Sequence, residues 1–121
     1  MPVNQNYCDY VLEQLAGLGK IVAKKMFGGV GLYHKDIFFA VLDDDQLYFK
    51  VDDKSRSDYL SAGMRPFQPT RDGPASKTYY RVPDTVLEDE KGLQEWARKA
   101  ITAAKKKPRG RGNSLRRQDD N

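Results

Sequence analysis

The sequence contains very little of several residue types on which common folds and active sites depend. Cys8 is the only cysteine and His34 the only histidine among 121 residues. An internal disulfide needs two cysteines, and a zinc site of the usual kind needs several Cys or His ligands. The longest apolar run, residues 37–42, covers six residues, whereas a membrane-spanning helix needs about 20. We therefore expect no disulfide, no metal centre, no His-based catalytic triad and no membrane span.

A secretory signal is also not expected, because the first ten residues lack its basic and apolar segments. Hydrophobic residues make up 39% and charged residues 31% of the chain. This balance is polar but still typical of a globular protein. A chain of 13.8 kDa is long enough to bury a core without cross-links. The composition therefore predicts one globular domain.

The positive charge is concentrated at the C-terminal end. The formal net charge is +4, and residues 105–121 hold seven basic and two acidic side chains. Residues 1–104 hold 14 basic and 15 acidic side chains, so the body of the protein is close to neutral. The C-terminal segment has few apolar groups and cannot bury enough surface to offset the entropy lost on ordering. We predict a domain over residues 1–106 and a disordered basic tail over residues 107–121.

Two interpretations of this basic tail remain open. It could be a solubilising terminus, or its Arg-Gly-Arg-Gly run at 109–112 could bind phosphates without reading bases. The candidate nucleic-acid-binding residues are Lys105, Lys106, Lys107, Arg109, Arg111, Arg116 and Arg117.

Hydrophobic periodicity predicts three helices. Apolar residues three and four positions apart predict an amphipathic helix over 5–18, with Cys8 as a buried structural thiol. A shorter helix is predicted over 55–62. The last helix is predicted to begin at a capping box of Thr85 and Glu88 and to end near residue 106.

Between the helices the pattern is that of short strands. Strands are predicted over 21–27, 30–33, 37–42, 47–51, 64–67 and 78–82, with turns at 34–36 and 43–45 and a loop over 68–77. Short turns favour an antiparallel meander. The predicted fold class is α+β, a two-layer arrangement of an antiparallel sheet covered by helices. The other sheet face, which includes Tyr48 and Lys50, is expected to be exposed or used in association.

The glycine-rich segment 28–31 is the most unusual motif. A Walker-type phosphate loop would need Gly-Lys-Ser/Thr before a helix, and the dinucleotide fingerprint would need a glycine where His34 stands. We therefore favour a structural interpretation, in which glycine allows a bulge or a close approach of backbone. The alternative is a small-ligand-binding protein or an enzyme that uses this segment together with Tyr33, His34 or Lys50.

Two other polar features have simple interpretations. The aspartate run at 43–45 lacks the alternating ligands and terminal glutamate of a calcium loop, so we interpret it as a solvated hairpin turn. His34 is interpreted as a solvated turn residue.

Several segments together resemble the N-terminal domain of the TfoX/Sxy family, which contains regulators of natural competence. The resemblance spans about residues 7–104 and rests mainly on Met-Phe-Gly-Gly-Val-Gly-Leu-Tyr at 26–33 and Leu-Tyr-Phe-Lys-Val-Asp at 47–52. Further similarity lies at 39–40, 66–67, 80, 82–83 and 87–89. We interpret the motif residues as structural; they are Met26, Phe27, Gly28, Gly29, Gly31, Tyr33, Tyr48, Lys50 and Asp52.

The resemblance implies a secretion-chaperone-like α+β sandwich and a non-enzymatic, cytoplasmic, bacterial protein. Full-length members carry a C-terminal helical domain and act with the cyclic-AMP receptor protein at competence promoters, whereas this sequence has the basic tail there. We therefore expect a regulatory or binding module without catalytic residues or cofactor. It would act through a protein partner, such as the transcription machinery, with weak DNA binding by the tail. A homodimer through the open sheet face or an edge strand is a further expectation.

Overall fold

The computed structural model describes residues 4–26, 29–68 and 73–105. The predicted boundary between domain and tail lies outside these residues. In chain order the elements are α1 (Gln5–Gln14), a 3₁₀ turn (Ala16–Leu18), β1 (Ile21–Met26), β2 (Gly29–His34), β3 (Ile37–Asp43), β4 (Gln46–Lys50), α2 (Asp53–Ser61), β5 (Tyr79–Arg81), α3 (Asp84–Leu87) and α4 (Glu90–Lys105).

The described strands form one antiparallel sheet in the order β1-β2-β3-β4-β5, which confirms the predicted meander. Residues 35–36 join β2 to β3, and residues 44–45 join β3 to β4. All four turn residues have φ between 49° and 67°, as in the type I′ turns that match the twist of paired strands. Each turn is shorter than predicted, because His34 pairs with Ile37 and Asp43 pairs with Gln46.

β3 is the central strand, as its continuous apolar sequence predicts. The pairing of β2 with β3 is irregular: Leu32 lies opposite Ala40, whereas Tyr33 lies opposite Phe38. Phe39 is therefore an extra residue in β3, and this bulge lets its side chain enter the core. There its ring centroid lies 6.0 Å from that of Phe49.

The helices cover one face of the sheet and bury the core, which confirms the α+β class. α4 packs on β3 and β4, and α1 packs against α4. Burial of apolar surface, worth roughly 25 cal/mol per Å², is the main stabilising contribution. The predicted similarity of this fold to that of secretion chaperones stays a prediction. The largest fully buried side chains are Phe39, Phe49, Leu15, Leu32, Leu42, Leu47, Leu93, Val11 and Val51.

α1 is shorter than the helix predicted over 5–18. The Asn4 side chain caps its start by accepting a hydrogen bond from the Asn6 N–H at 2.8 Å. The α-helix ends at Gln14, a 3₁₀ turn follows, and Gly19 leaves the helical path with φ of 97°. Cys8 is buried as predicted, and this burial raises the pKa of its thiol.

The C-terminal region is two helices rather than the predicted one. Pro83 precedes α3, and no side chain caps its start, so the predicted capping box of Thr85 and Glu88 is wrong. The physical reason is that proline fixes φ near −60° and suits a helix start. Glu88 ends α3, and the Leu93 N–H then donates to the Asp89 carbonyl at 2.7 Å in α4.

The predicted strand over 64–67 is reduced to one β-bridge, between Pro66 and Tyr80. Proline has no N–H, so this segment cannot extend a regular ladder. It still covers the outer edge of β5, since the Phe67 N–H donates to the Tyr79 carbonyl at 2.8 Å. β1 is the opposite edge of the sheet.

Among the helices in the described part of the chain, none combines the length and hydrophobicity required of a membrane span.

Candidate functional site

The sheet face that points away from α1 and α4 is the candidate site, and we call it the open face. Tyr48 and Lys50 of β4 lie on it, opposite Arg81 and Tyr79 of β5, whereas Phe49 between them is buried. Side chains alternate along a strand, so the register confirms the predicted side for Tyr48 and Lys50. The open face consists of Val22, Lys24, Met26, Gly29, Gly31, Tyr33, Phe38, Val41, Asp43, Gln46, Tyr48, Lys50, Tyr79 and Arg81.

Three half-buried rings cross the open face, and we call them the aromatic row. The ring centroids of Tyr33 and Phe38 are 5.1 Å apart, and those of Phe38 and Tyr79 are 5.7 Å apart. These separations lie in the attractive range for aromatic pairs. A second pair lies beside the row, where the Tyr48 and Phe67 centroids are 4.7 Å apart. The strands thus hold a continuous aromatic surface in a fixed position.

A lysine lies against each end of the aromatic row. Lys24 Nζ is 4.9 Å from the centre of the Tyr33 ring, and Lys50 Nζ is 5.2 Å from the centre of the Tyr79 ring. At these distances an ammonium group is attracted by the ring face. Burial lowers the pKa of Lys50. Burial, with a smaller effect of Tyr33, raises the pKa of Tyr79 to about 12, so this phenol is protonated at neutral pH.

Two glycines leave space for the side chains of this face. A Cβ on Gly31 would lie 2.6 Å from Met26 Sδ and 2.8 Å from Phe38 Cε1. A Cβ on Gly29 would lie 2.5 Å from the Leu42 carbonyl oxygen. Neither glycine has positive φ. The close approach of backbone that the structural interpretation predicted is present at Gly29, whereas at Gly31 the close neighbours are side chains.

A cavity of about 370 Å³ opens on this face beside Gly29. Asp43 is the only charged side chain among its described lining residues. The lining also includes Ser76 and Thr78. Ser76 Oγ accepts hydrogen bonds from the N–H groups of Thr78, at 3.1 Å, and Tyr79, at 3.2 Å. The apolar walls are formed by Met26, Phe38, Val41, Phe67 and Tyr79.

The motif residues named from the sequence fall into three groups. Asp52 lies apart from the open face and caps α2: its carboxylate accepts from the Ser55 N–H at 2.8 Å, and Ser55 Oγ accepts from the Asp52 N–H at 3.1 Å. Phe27 and Gly28 lie outside the described residues. The structure brings the others together on the open face; they are Met26, Gly29, Gly31, Tyr33, Tyr48 and Lys50.

His34 is not the solvated turn residue that the sequence predicted. It is the last residue of β2, is half-buried, and has Nε2 3.1 Å from the Leu18 carbonyl oxygen. Since a carbonyl can only accept, Nε2–H is the donor. Nδ1 is buried and has no hydrogen-bond partner in the described structure. The ring thus joins β2 to the 3₁₀ turn on the helix side of the sheet, whereas Tyr33 and Lys50 lie on the open face. The alternative of a small-ligand-binding protein or an enzyme that uses Tyr33, His34 or Lys50 stays a prediction.

Of the seven basic residues predicted to contact nucleic acid, the structure describes Lys105. It is exposed at the end of α4, where a positive charge complements the helix dipole. The other six lie outside the described residues; they are Lys106, Lys107, Arg109, Arg111, Arg116 and Arg117.

Within residues 4–26, 29–68 and 73–105, no three His, Cys, Asp or Glu side chains are grouped so as to hold a metal ion.

The sequence profile of the TfoX N-terminal domain matches residues 13–104 of the 121-residue chain. The chain belongs to this family. All of the described strands of this TfoX N-terminal domain, and therefore the whole open face, lie within the matched residues. The match confirms the resemblance stated on sequence. No curated protein matches the chain.

Of the nine described residues that line the cavity, only Met26 and Gly29 were named as site residues from the sequence. The missed residues that matter most for its chemistry are Phe38, Asp43 and Phe67. Asp43 was assigned to the turn, although a two-residue hairpin turn would have placed it at the end of a strand. Phe38 lies in a continuous apolar run, in which alternation cannot separate the two faces. Phe67 follows a proline in a segment without regular pairing, so no local pattern predicts the direction of its side chain.

Proposed function

We propose that this TfoX N-terminal domain is a non-enzymatic regulatory module that binds a partner protein through its open face. The supporting observation is the aromatic row, which is half-buried on a face that the described helices leave uncovered. Exposed apolar patches with polar borders are typical of interaction sites, and aromatic side chains are enriched in them. Binding, rather than catalysis, is the function that this arrangement favours.

The partner surface is suggested by the charges around the row. Lys24 and Lys50 place positive charge at its two ends. A partner that presents an apolar centre with acidic groups at its border would complement this pattern. The rings are tilted against one another and held on three strands of one sheet, β2, β3 and β5, so little side-chain freedom is lost on binding.

Site-specific photo-cross-linking tests this proposal. A photoreactive phenylalanine derivative is placed at Tyr33 on the open face or, as a matched control, at Tyr10, which is exposed on α1. We expect a specific adduct with one partner from position 33 and none from position 10. With the purified partner, Phe38→Ala should weaken binding by at least about tenfold, in the range of an interface hot spot. Equal adducts from both positions, or unchanged affinity, would contradict the proposal.

We further propose that the tail makes accessory contacts with DNA phosphates, as a role in transcription or competence regulation would require. Its five basic residues, together with Lys105 and Lys106, supply up to seven phosphate contacts with little base readout. The control is a full-length variant in which the basic residues after Lys105 are replaced by Gln. We expect retention on DNA at low salt with a steep salt dependence, lost in this variant. Equal retention of both proteins would exclude the tail as the contact.

Membership of the TfoX N-terminal domain family also leads us to propose a cytoplasmic location for the protein.

The cavity beside Gly29 favours a second function for this face, the binding of a small molecule.

A further inference from the structure

We propose that the cavity on the open face binds a small organic amine. Its apolar body would lie between the rings of Phe38, Phe67 and Tyr79, and its ammonium group would bind the carboxylate of Asp43. This site is independent of whether the open face also binds a protein.

The Asp43 carboxylate supplies the charge that recognises the ammonium group. Asp43 is half-buried at the end of β3, and its Oδ1 lies 3.5 Å from the position that a Cβ on Gly29 would occupy. It has no hydrogen-bond or salt-bridge partner among the described residues. Its charge affects a neighbour, since the pKa of Tyr48 is raised by burial and then by Asp43. A partly desolvated carboxylate gains a strong, charge-assisted hydrogen bond when an ammonium group arrives.

The walls of the cavity favour the same ligand class. Aromatic faces attract ammonium groups, and they also bury the apolar body of an amine. The protein itself places the ammonium group of Lys50 on the ring of Tyr79, which is one of these walls. An anion would find no cation among the described lining residues. A neutral ligand would leave the carboxylate unpaired.

The size of the cavity restricts the ligand further. Its 370 Å³ lies near the lower end of the range for small-molecule sites. At roughly 30 Å³ for each water-sized group, this volume holds about a dozen non-hydrogen atoms. Primary amines with one aromatic ring or a short alkyl chain fit this volume.

The test is titration of the full-length protein with three probes of one shape and different charge: phenethylamine, 2-phenylethanol and phenylacetate. Binding is followed by the backbone amide NMR signals of Gly29 and Val41, beside the cavity. We expect phenethylamine to saturate these shifts with a dissociation constant of about 1 mM or tighter, and the two other probes to bind at least about tenfold more weakly.

Matched variants test whether the carboxylate that binds the ammonium group is that of Asp43. Asp43→Asn removes the carboxylate and should weaken phenethylamine by at least about tenfold. Asp44→Asn makes the same change in the adjacent exposed turn and should alter binding less than about twofold. Phe38→Leu, which keeps the apolar character and removes a ring, should weaken binding without removing the charge preference.

Each contrary result overturns the inference. It is wrong if phenethylamine, tryptamine and butylamine all fail to saturate the shifts below about 10 mM. It is also wrong if 2-phenylethanol or phenylacetate binds as tightly, or if Asp43→Asn and Asp44→Asn behave alike. Because the purified chain alone is measured, failure here would leave the cross-linking result at Tyr33 unaffected.

Discussion

The ring of Phe38 lies over the bare backbone of Gly31, and a methyl group on that glycine would stand 2.8 Å from the ring's Cε1 atom. Met26 Sδ would be 2.6 Å from the same methyl group. The absence of a side chain at Gly31 therefore lets the Phe38 ring, the middle member of the aromatic row, lie close to the sheet. The glycine motif and the aromatic row are two parts of one packing arrangement.

Replacing Gly29 or Gly31 with alanine should destabilise the protein by different amounts, because the neighbour of one is rigid backbone and the neighbours of the other are side chains that can move. At Gly31 both close contacts are side chains, the Met26 thioether and the half-buried Phe38 ring, and both can shift, so Gly31→Ala should cost about 1 kcal/mol of unfolding free energy. At Gly29 the contact is the backbone carbonyl of Leu42, which cannot move alone, so Gly29→Ala should cost about 3 kcal/mol. Urea denaturation gives both values. Equal costs, or a larger cost at Gly31, would contradict this account.

Stability should fall in strongly alkaline solution because tyrosines are buried. The pKa values of Tyr7 and Tyr79 are raised from 10.0 to about 12, mainly by burial. A raised folded-state pKa contributes stability that is fully present below pH 10 and is lost as the pH rises through 12. Tyr79→Phe should therefore lose less stability than the wild type over this interval. Tyr10→Phe, at an exposed position, should lose as much as the wild type. Denaturant unfolding at a series of pH values measures these losses, and identical losses for the two variants would refute the assignment.

The contribution of the N-terminal cap of α2 to stability should be measurable by replacing Asp52. Asp52→Ala removes the acceptor for the Ser55 N–H and should cost about 1 kcal/mol, whereas Asp52→Asn retains an acceptor and should cost less. The control is Asp53→Ala, which removes an exposed first-turn acid and its ion pair with Arg56 but leaves the cap, and it should change stability by less than about 0.5 kcal/mol. Thermal and urea unfolding provide the comparison. A control that costs as much as Asp52→Ala would show that the cap has no special role.

The Cys8 thiol should react only when the protein opens. Its side chain is 6% exposed, and burial raises its pKa, so little thiolate is accessible in the folded state. Alkylation should be much slower than at a cysteine introduced by Ser61→Cys in a Cys8→Ala background, since Ser61 is exposed. Added urea should raise the rate at Cys8 in step with unfolding. Comparable rates for the two thiols without urea would contradict the burial.

Much of the fold follows from sequence pattern, and the departures have local causes. Alternation in β4 places Tyr48 and Lys50 on the open face, and the apolar run of β3 marks the central strand. The helix predicted from Thr85 fails because Pro83 starts a separate short helix. Sequence periodicity cannot show the bulge at Phe39, which depends on pairing between two strands.

The candidate site could be predicted only in part. Tyr33 and Lys50 were identified as members of one motif. Between them on the open face lies the ring of Phe38, which could not be assigned to this face because β3 does not alternate apolar and polar residues. Asp43 looked like one of three equivalent turn residues, and only the register distinguishes it. His34 looked solvated because its partner, the Leu18 carbonyl, belongs to a turn distant in sequence.

The positive φ of the two hairpin turns has a consequence for engineering. Both turns place two non-glycine residues at positive φ, whereas the dipeptide Asn-Gly would adopt the same conformation with less strain. At the second turn the Asp45 carboxylate accepts the Asn4 N–H at 2.7 Å and fixes the start of α1, so that turn has a second role. The turn at Lys35 and Asp36 is therefore the position where a more heat-resistant scaffold can be obtained, or a reporter peptide inserted, while the binding surface stays unaltered.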